Sequence, residues 1–317
     1  MKDADTLITI FGGSGFLGRE VTRALTEHRY RLRIAVRHPY RSGHLQPPGR
    51  LGEIHAVRAN VCSPRLVTAA VRDAQVVVNL VGILFEDGGQ QFDAVHAEGA
   101  RTVARAAAQV GARLIHVSAI GADENSPARY AQSKARGEAA VLAEMPGATI
   151  FRPSIMFGPH DDFFNRFAAM ARILPFLPLI GGGETRLQPV FVGDVANAIA
   201  KAVGGQTRPG ITYELGGPDV RTFKELMEFV LSTIERRRLL VPIPFAIAKL
   251  QASVLQFLPG PPLTPDQVEL LKRDNVVSSE AEQEGRTLAA LDIDPASIEA
   301  VVPTYLRDRS QLYGGMW

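Results

Sequence analysis

Two groups of residues in this 317-residue chain have types and spacings that could do chemistry. The first is Tyr130 and Lys134, in "YAQSK". Four residues apart on a helix, their side chains share a face. An ammonium beside a phenol lowers the phenol's pKa. Such a phenol could exchange a proton with a substrate carbonyl or hydroxyl while hydride moves to or from a nicotinamide. A reading without chemistry is equally physical: Lys134 binds the nicotinamide ribose and Tyr130 orients the cofactor. The second group is the loop "GGSGFLG", with Gly12, Gly15 and Gly18 at regular spacing around Ser14, Phe16 and Leu17. Glycine lets a backbone turn sharply, approach a pyrophosphate and pack a helix against a strand; the helix N-terminus that follows offers free N–H groups and a positive dipole to phosphates. About 20 residues on, NAD-selective sites place an acid for the ribose 2′-OH, whereas an arginine accommodates a 2′-phosphate. Here the second strand ends "IAVRHPYR", so Arg37 stands in place of the acid with Arg41 nearby. NADP(H) is therefore expected ahead of NAD(H).

These residues need elements to position them. "LITIF" is a buried-strand run, and Leu17, Val21 and Leu25 then recur at helical spacing. "RLRIAV", "IHAVRA", "AQVVVNLVG", "RLIHVSAIG" and "GATIFRPS" continue the strands, and Val95 to Val110 and Ala128 to Glu144 read as helices. Alternation of strand and helix predicts a parallel sheet covered on both faces, a doubly wound Rossmann domain over residues 1–155. From 156 to 317 the elements are shorter and punctuated by glycine and proline. This smaller C-terminal α/β region is expected over the cleft, with some of its strands interleaved with the Rossmann core. "TFKELMEFVLSTIERRR" reads as a helix with Thr222 as N-cap and Glu225 completing a capping box.

Composition narrows the partners. An apolar fraction of 46%, a charged fraction of 21% and a net charge of +2 are those of an ordinary globular chain, and charge alone points to no nucleic acid. Cys62 stands alone, so an intramolecular disulfide or a cysteine metal cluster is excluded. His28, His38, His44, His55, His96, His116 and His160 show no HxxxH or HxH spacing. His160-Asp161-Asp162 reads as a polar turn capping the helix "DFFNRFAAMARIL", and no metal is expected. The N-terminal residues lack the basic and apolar regions of a signal peptide, and no stretch reaches the roughly 20 apolar residues of a membrane span. A cytoplasmic or peripheral protein is expected. The run 236–262, "RRRLLVPIPFAIAKLQASVLQFLPGPP", is apolar behind three arginines. It reads either as a segment docking on a membrane surface or partner subunit, or as an ordinary helix covering the C-terminal core.

"GGSGFLG", "NLVG" (79–82), "HVSAIGAD" (116–123), "YAQSK" and "RPSIMFGP" (152–159) together resemble an atypical short-chain dehydrogenase/reductase of the extended, epimerase-like type. "SPARYAQSKARGE", "GPHDDFFNRFA", "GGGETRLQPVFVGDVA" and "PGPPLTPDQVELLKRDNVV" are similar to bacterial relatives of the nucleotide-binding accessory subunit of respiratory complex I, NADH:ubiquinone oxidoreductase. The resemblance implies a Rossmann fold, tightly held NADPH and an accessory or assembly role at the membrane-bound enzyme, with a structural nucleotide. A related branch is linked to ubiquinone biosynthesis, which keeps a reductase or epimerase acting on a small, unnamed substrate as the alternative.

By position, the resemblance puts Gly12, Gly15 and Gly18 on the pyrophosphate and Arg37 on the 2′-phosphate. It sets Asn60-Val61 beside the adenine, where the family usually shows Asp-Val. Val81 and Gly82 fall at the ribose, Tyr130 and Lys134 on the YxxxK pair, and Pro153 where the chain passes the nicotinamide. The third catalytic member is the departure. Ser118 lies in the loop after the fifth strand, but epimerase-like enzymes often place the serine two residues on, at Ile120 here, which cannot hydrogen-bond. Ser126 is a substitute near Tyr130. Whether the chain turns over a substrate stays open at this point.

Overall fold

The strand β1 (Leu7–Phe11) is buried along its whole length, as a strand is at the centre of a parallel sheet with helices on both faces. A computed structural model describes residues 6–41 and 54–307. From β1 the chain runs through α1 (Phe16–Glu27), β2 (Arg31–Val36), β3 (Ile54–Arg58), α2 (Pro64–Val71), β4 (Val76–Asn79), α3 (Gly99–Gln109), β5 (Arg113–Val117), α4 (Arg129–Glu144) and β6 (Thr149–Pro153). A π-helical turn, Asp93–Glu98, leads into α3. Next come β7 (Met156–Phe157), α5 (Phe164–Ile173), β8 (Phe176–Ile180), β9 (Arg186–Leu187), β10 (Val190–Phe191), α6 (Val192–Val203) and β11 (Thr212–Leu215). The chain continues with β12 (Arg221–Thr222), α7 (Phe223–Thr233), β13 (Leu239–Ile243), α8 (Phe245–Leu255), α9 (Pro265–Leu270), α10 (Ser279–Gln283) and α11 (Ile298–Leu306).

The central sheet has seven strands in the order β11-β6-β5-β4-β1-β2-β3, and every pairing in it is parallel. Side-chain alternation assigns its faces. Ile8, Ile10, Val76, Val78, Ile115 and Val117 pack with Leu17, Val21 and Leu25 of α1 and Val195 and Ile199 of α6. Phe11, Val77 and Leu114 face the other way, against Val67 of α2, Val103 of α3 and Val141 of α4. This is the doubly wound Rossmann architecture. Strand order reverses between β1 and β4, and the crevice beyond their carboxyl ends is the binding position of such folds.

Residues after 155 enter this sheet as well as standing beside it. α6 packs against α1, and β11 adds the edge strand beside β6. The remainder builds a core of Phe157, Phe164, Leu177, Leu226, Val230 and Val302. The Thr222–Glu225 capping box forms as expected, but α7 ends at Thr233. Glu235 takes a left-handed φ of 55°, which turns the arginines out of the helix. Asp161 accepts from the Asn165 amide at the start of α5 (3.0 Å) and from Tyr305 Oη (2.6 Å), so its carboxylate serves the turn before that helix.

Candidate functional site

The glycine loop sits at the switch point, and its geometry explains its composition. Gly12 holds a φ of 80°, and a Cβ there would stand 3.2 Å from the Leu80 carbonyl carbon beyond β4. A Cβ on Gly18 would overlap the backbone of Gly12 and Gly13, so only glycine brings α1 this close to the loop. The Gly15 amide donates to the Gly12 carbonyl (3.0 Å). Gly15 then opens α1 with no side-chain cap and no acidic residue in the first turn. The first-turn N–H groups of Phe16, Leu17 and Gly18 are left for an anion. Ser14 is half-buried and Gly15 exposed. These features fit the pyrophosphate of a dinucleotide.

Around the loop, Arg37 follows β2 as an exposed side chain. Its charge reaches the Cys62 thiol, lowering the thiol's pKa against the stronger opposing effect of burial, which raises it. Asn60 Oδ1 accepts from the Cys62 amide (3.1 Å), which leaves its amide N–H groups for a base edge. Val61 is buried against Gly99. Val81 donates its amide to Asn79 Oδ1 (3.2 Å). Gly82 lies over Lys134, where an added Cβ would stand 3.2 Å from Nζ. The loop thus brings Gly12, Gly82 and Lys134 to one crevice, with Arg37, Asn60 and Val61 at the ends of β2 and β3. Pro153 closes β6, and its carbonyl accepts from the Ile120 amide (3.0 Å).

The tyrosine and lysine share a face of α4, but their electrostatics differ from the sequence expectation. Lys134 Nζ is 5.9 Å from the centre of the Tyr130 ring and donates to the Val117 carbonyl (3.3 Å). Burial lowers the lysine to about 8. Tyr130 is pushed up to about 12, first by burial and then by the Asp266 carboxylate. The expected lowering of the phenol is therefore corrected: burial outweighs the ammonium, which is directed at a backbone carbonyl, and the Asp266 carboxylate adds to the rise. His96 packs edge-to-face on Tyr130. Its Nε2 accepts from the Ile83 amide (3.0 Å), so Nδ1 carries the proton toward Ser133 Oγ (2.8 Å). Ser133 in turn donates to the Tyr130 carbonyl (2.8 Å).

Of the three serine positions, Ser118 is 4% exposed, and its Oγ lacks a hydrogen-bond partner among the described residues. A buried hydroxyl left so is costly, and a ligand atom in the crevice would satisfy it. Ser126 Oγ is engaged by the Ala128 amide (3.2 Å) ahead of α4, so it is a turn-former. Ile120 offers its carbonyl to Asn275 Nδ2 (3.2 Å).

Residues of the C-terminal region complete the site, and their role here is not readable from sequence. Asp266, in the first turn of α9, accepts from the amides of Arg129 (2.6 Å) and Tyr130 (3.0 Å). It caps α4 across 136 positions of chain, where the helix's own N-cap, Ala128, makes no side-chain bond. Arg273 pairs with Asp123 (2.8 Å). Asn275 Oδ1 accepts from Ser154 Oγ (2.7 Å) and the Ile155 amide (3.1 Å). The strap from α9 to Asn275 therefore closes over the ends of β5 and β6 and the start of α4. Glu86, in the loop after β4, adds a pair with Arg129 (2.8 Å). The local signal was the motif "LTPDQ", whose Thr264–Gln267 capping box starts α9; what α9 caps in turn is a matter of tertiary contact.

A sheet of this order with a glycine loop at its switch point defines a Rossmann-fold nucleotide-binding protein, and the chain belongs to the NAD dependent epimerase/dehydratase family, whose model matches residues 8–216. Its relatives are more particular. It is 37% identical over 286 residues to NADH dehydrogenase (ubiquinone) 1 alpha subcomplex subunit 9 of Arabidopsis thaliana, covering 86% of this chain and 71% of the relative. It is 34% identical over 308 residues to the NADH-ubiquinone oxidoreductase 40 kDa subunit of Neurospora crassa, covering 96% and 80%. A shorter match, 34% over 194 residues, is to the ceramide reductase of Caulobacter vibrioides, covering 61% of this chain and 60% of that one. In fold it is similar to a dTDP-glucose 4,6-dehydratase from Streptomyces venezuelae with NAD bound (TM-score 0.73, 19% identity, 98% of each chain).

Proposed function

We propose that this chain holds NADP(H) in the crevice between β1 and β4 and serves as an accessory or assembly component of respiratory complex I, on the cytoplasmic side of the membrane. In this reading the amides of Gly12, Ser14, Gly15, Phe16, Leu17 and Gly18 bind the pyrophosphate. Arg37 pairs with the 2′-phosphate, Asn60 and Val61 flank the adenine, and Val81 and Gly82 line the ribose. Lys134 and Tyr130 hold the nicotinamide ribose, with Pro153 beside the ring. Bound there, NADPH would be able to supply a hydride, which the second reading below would use and this one would not. The observation that carries a held nucleotide is the strap. Asp266 on the amides of Arg129 and Tyr130, with Asn275 on the loop after β5, ties the chain's own C-terminal residues to the start of α4 and that loop, which supports a closed rather than a substrate-admitting site. Burial, and after it the same carboxylate, raises the phenol, which disfavours the proton exchange a reductase needs. Similarity to complex I subunits over most of the chain supports the partner.

A second reading, a reductase or epimerase for a small substrate such as a quinone precursor, is favoured by the Tyr130–Lys134 pair, the unsatisfied Ser118 hydroxyl and the likeness to ceramide reductase. One experiment separates the two. The tagged chain is purified from membranes in mild detergent, its ligand is identified by mass spectrometry, and NADPH absorbance is followed across a substrate screen with Tyr130→Phe beside it. Co-purification with complex I subunits, NADP(H) on the protein and equal inertness of both forms are expected. Absence from the complex together with unchanged NADH:quinone activity on deletion would overturn the first reading; turnover lost in Tyr130→Phe would establish the second.

A further inference from the structure

α8 is built inside out. Its inward face carries Ala248 and Ala252, both fully buried, and Phe245, whose ring fills the space a side chain on Gly181 would take. Its outward face carries Ile247 (50% exposed), Leu250 (72%) and Val254 (70%), and the turn that follows adds Phe257 (82%) and Leu258 (51%). A helix covering a core does the reverse. One residue, Pro244, separates α8 from β13. β13 pairs in parallel with β8, matching Leu239 to Phe176, and both of those side chains are exposed, as are Val241 and Ile173. Isolated exposed apolar side chains are ordinary, but a series on two joined elements marks an interaction surface.

Charge selects the occupant. The run 236–262 holds Arg236, Arg237, Arg238 and Lys249 and no Asp or Glu. Arg238 is engaged by the Ala171 carbonyl (2.7 Å) and Lys249 by Glu269 (2.6 Å). Arg236 and Arg237 are exposed three and two residues before Leu239, after the exposed Glu235. Apolar side chains flanked by exposed arginines that make no ion pair among the described residues match the acyl boundary and anionic headgroups of a bilayer. With 11 residues, α8 is about 16 Å long, about half the hydrocarbon thickness, so it lies on the surface. Among the described residues no helix is long and apolar enough to cross a membrane.

We propose that the outward face of α8 with Phe257, Leu258, Leu239 and Phe176, flanked by Arg236 and Arg237, docks the protein in the headgroup layer of an anionic phospholipid membrane. This stands independently of the complex I reading and of the nucleotide. The test is flotation of the purified full chain with phosphatidylcholine vesicles, with and without phosphatidylglycerol. Binding to the anionic vesicles, weakened by salt, is expected. Leu250→Asp with Phe257→Asp should abolish it while leaving thermal unfolding and nucleotide retention unchanged, since both side chains are exposed. Arg236→Gln with Arg237→Gln should weaken it about fivefold per charge removed. No flotation at either composition, or equal flotation of wild type and Leu250→Asp/Phe257→Asp, would overturn the proposal. So would a wild-type dimer that the double variant converts to monomer without any vesicle binding, which would assign the face to a second copy. Failure to co-purify with complex I would leave the vesicle result standing.

Discussion

Arg37 is exposed at the end of β2, and its charge reaches the Cys62 thiol. An arginine presents a planar fork of donors that matches a phosphate. Arg37→Asp removes that partner and adds a like charge. NADPH affinity is expected to fall by about 1.5–3 kcal/mol, the scale of a hydrogen bond to a charged group, while NADH binding changes little. Fluorescence titration with both nucleotides measures this, and an equal loss for both would show that Arg37 does not read the 2′-phosphate. At this scale the positions of the glycines and of Arg37 at the end of β2 were legible because strand end, loop and helix start are contiguous in sequence. The state of Tyr130 was not legible, because it is raised first by burial and then by the charge of Asp266, far along the chain.

α4 carries Tyr130 and Lys134, yet its N-cap position is Ala128, which has no side-chain acceptor to offer. The acceptor comes from another element: Asp266 of α9 takes the amides of Arg129 and Tyr130. Asp266→Ala leaves both without that acceptor and detaches the strap, and stability should fall by about 1–3 kcal/mol. Asp266→Asn, which keeps one oxygen acceptor, should lose less. Urea unfolding of the two variants beside wild type reads the difference, and a change within about 0.5 kcal/mol, as for a plain surface substitution, would mean that α9 does not hold α4. The elements themselves were largely legible, since α1 and α7 announce themselves by spacing and by the Thr222 capping box. α8 was not. Its apolar series is as compatible with facing inward as outward, and Ala248 and Ala252 on the buried side decide it.

For the molecule as a whole, two buried histidines link stability to pH. Burial and the Lys134 charge depress His96 to about 2 and His116 to about 3, from 6.5. Below about 6.5 the unfolded chain binds protons that the folded chain refuses, so stability declines as pH falls, at up to about 1.4 kcal/mol per pH unit for each histidine. Asp194 and Asp266, raised by burial, act in the opposite sense. Lys134, lowered from 10.5 to about 8, makes stability rise with pH between those values. Denaturant unfolding at pH 7.5 and 5 should show a net acid loss, shallower in His116→Gln; equal stability at both pH values would contradict the neutral buried pair. Sequence alone determined the Rossmann class, the turn of the glycine loop, the place of Arg37 after β2 and the shared helix face of Tyr130 and Lys134, because each is a short-range pattern of side-chain period, backbone freedom or spacing. Only the tertiary structure decided that the C-terminal strap closes over Tyr130, that Ser118 is buried without a partner, and that α8 turns its apolar face outward. Those depend on which distant groups share a low-dielectric space, and contact across the chain sets that rather than neighbourhood along it.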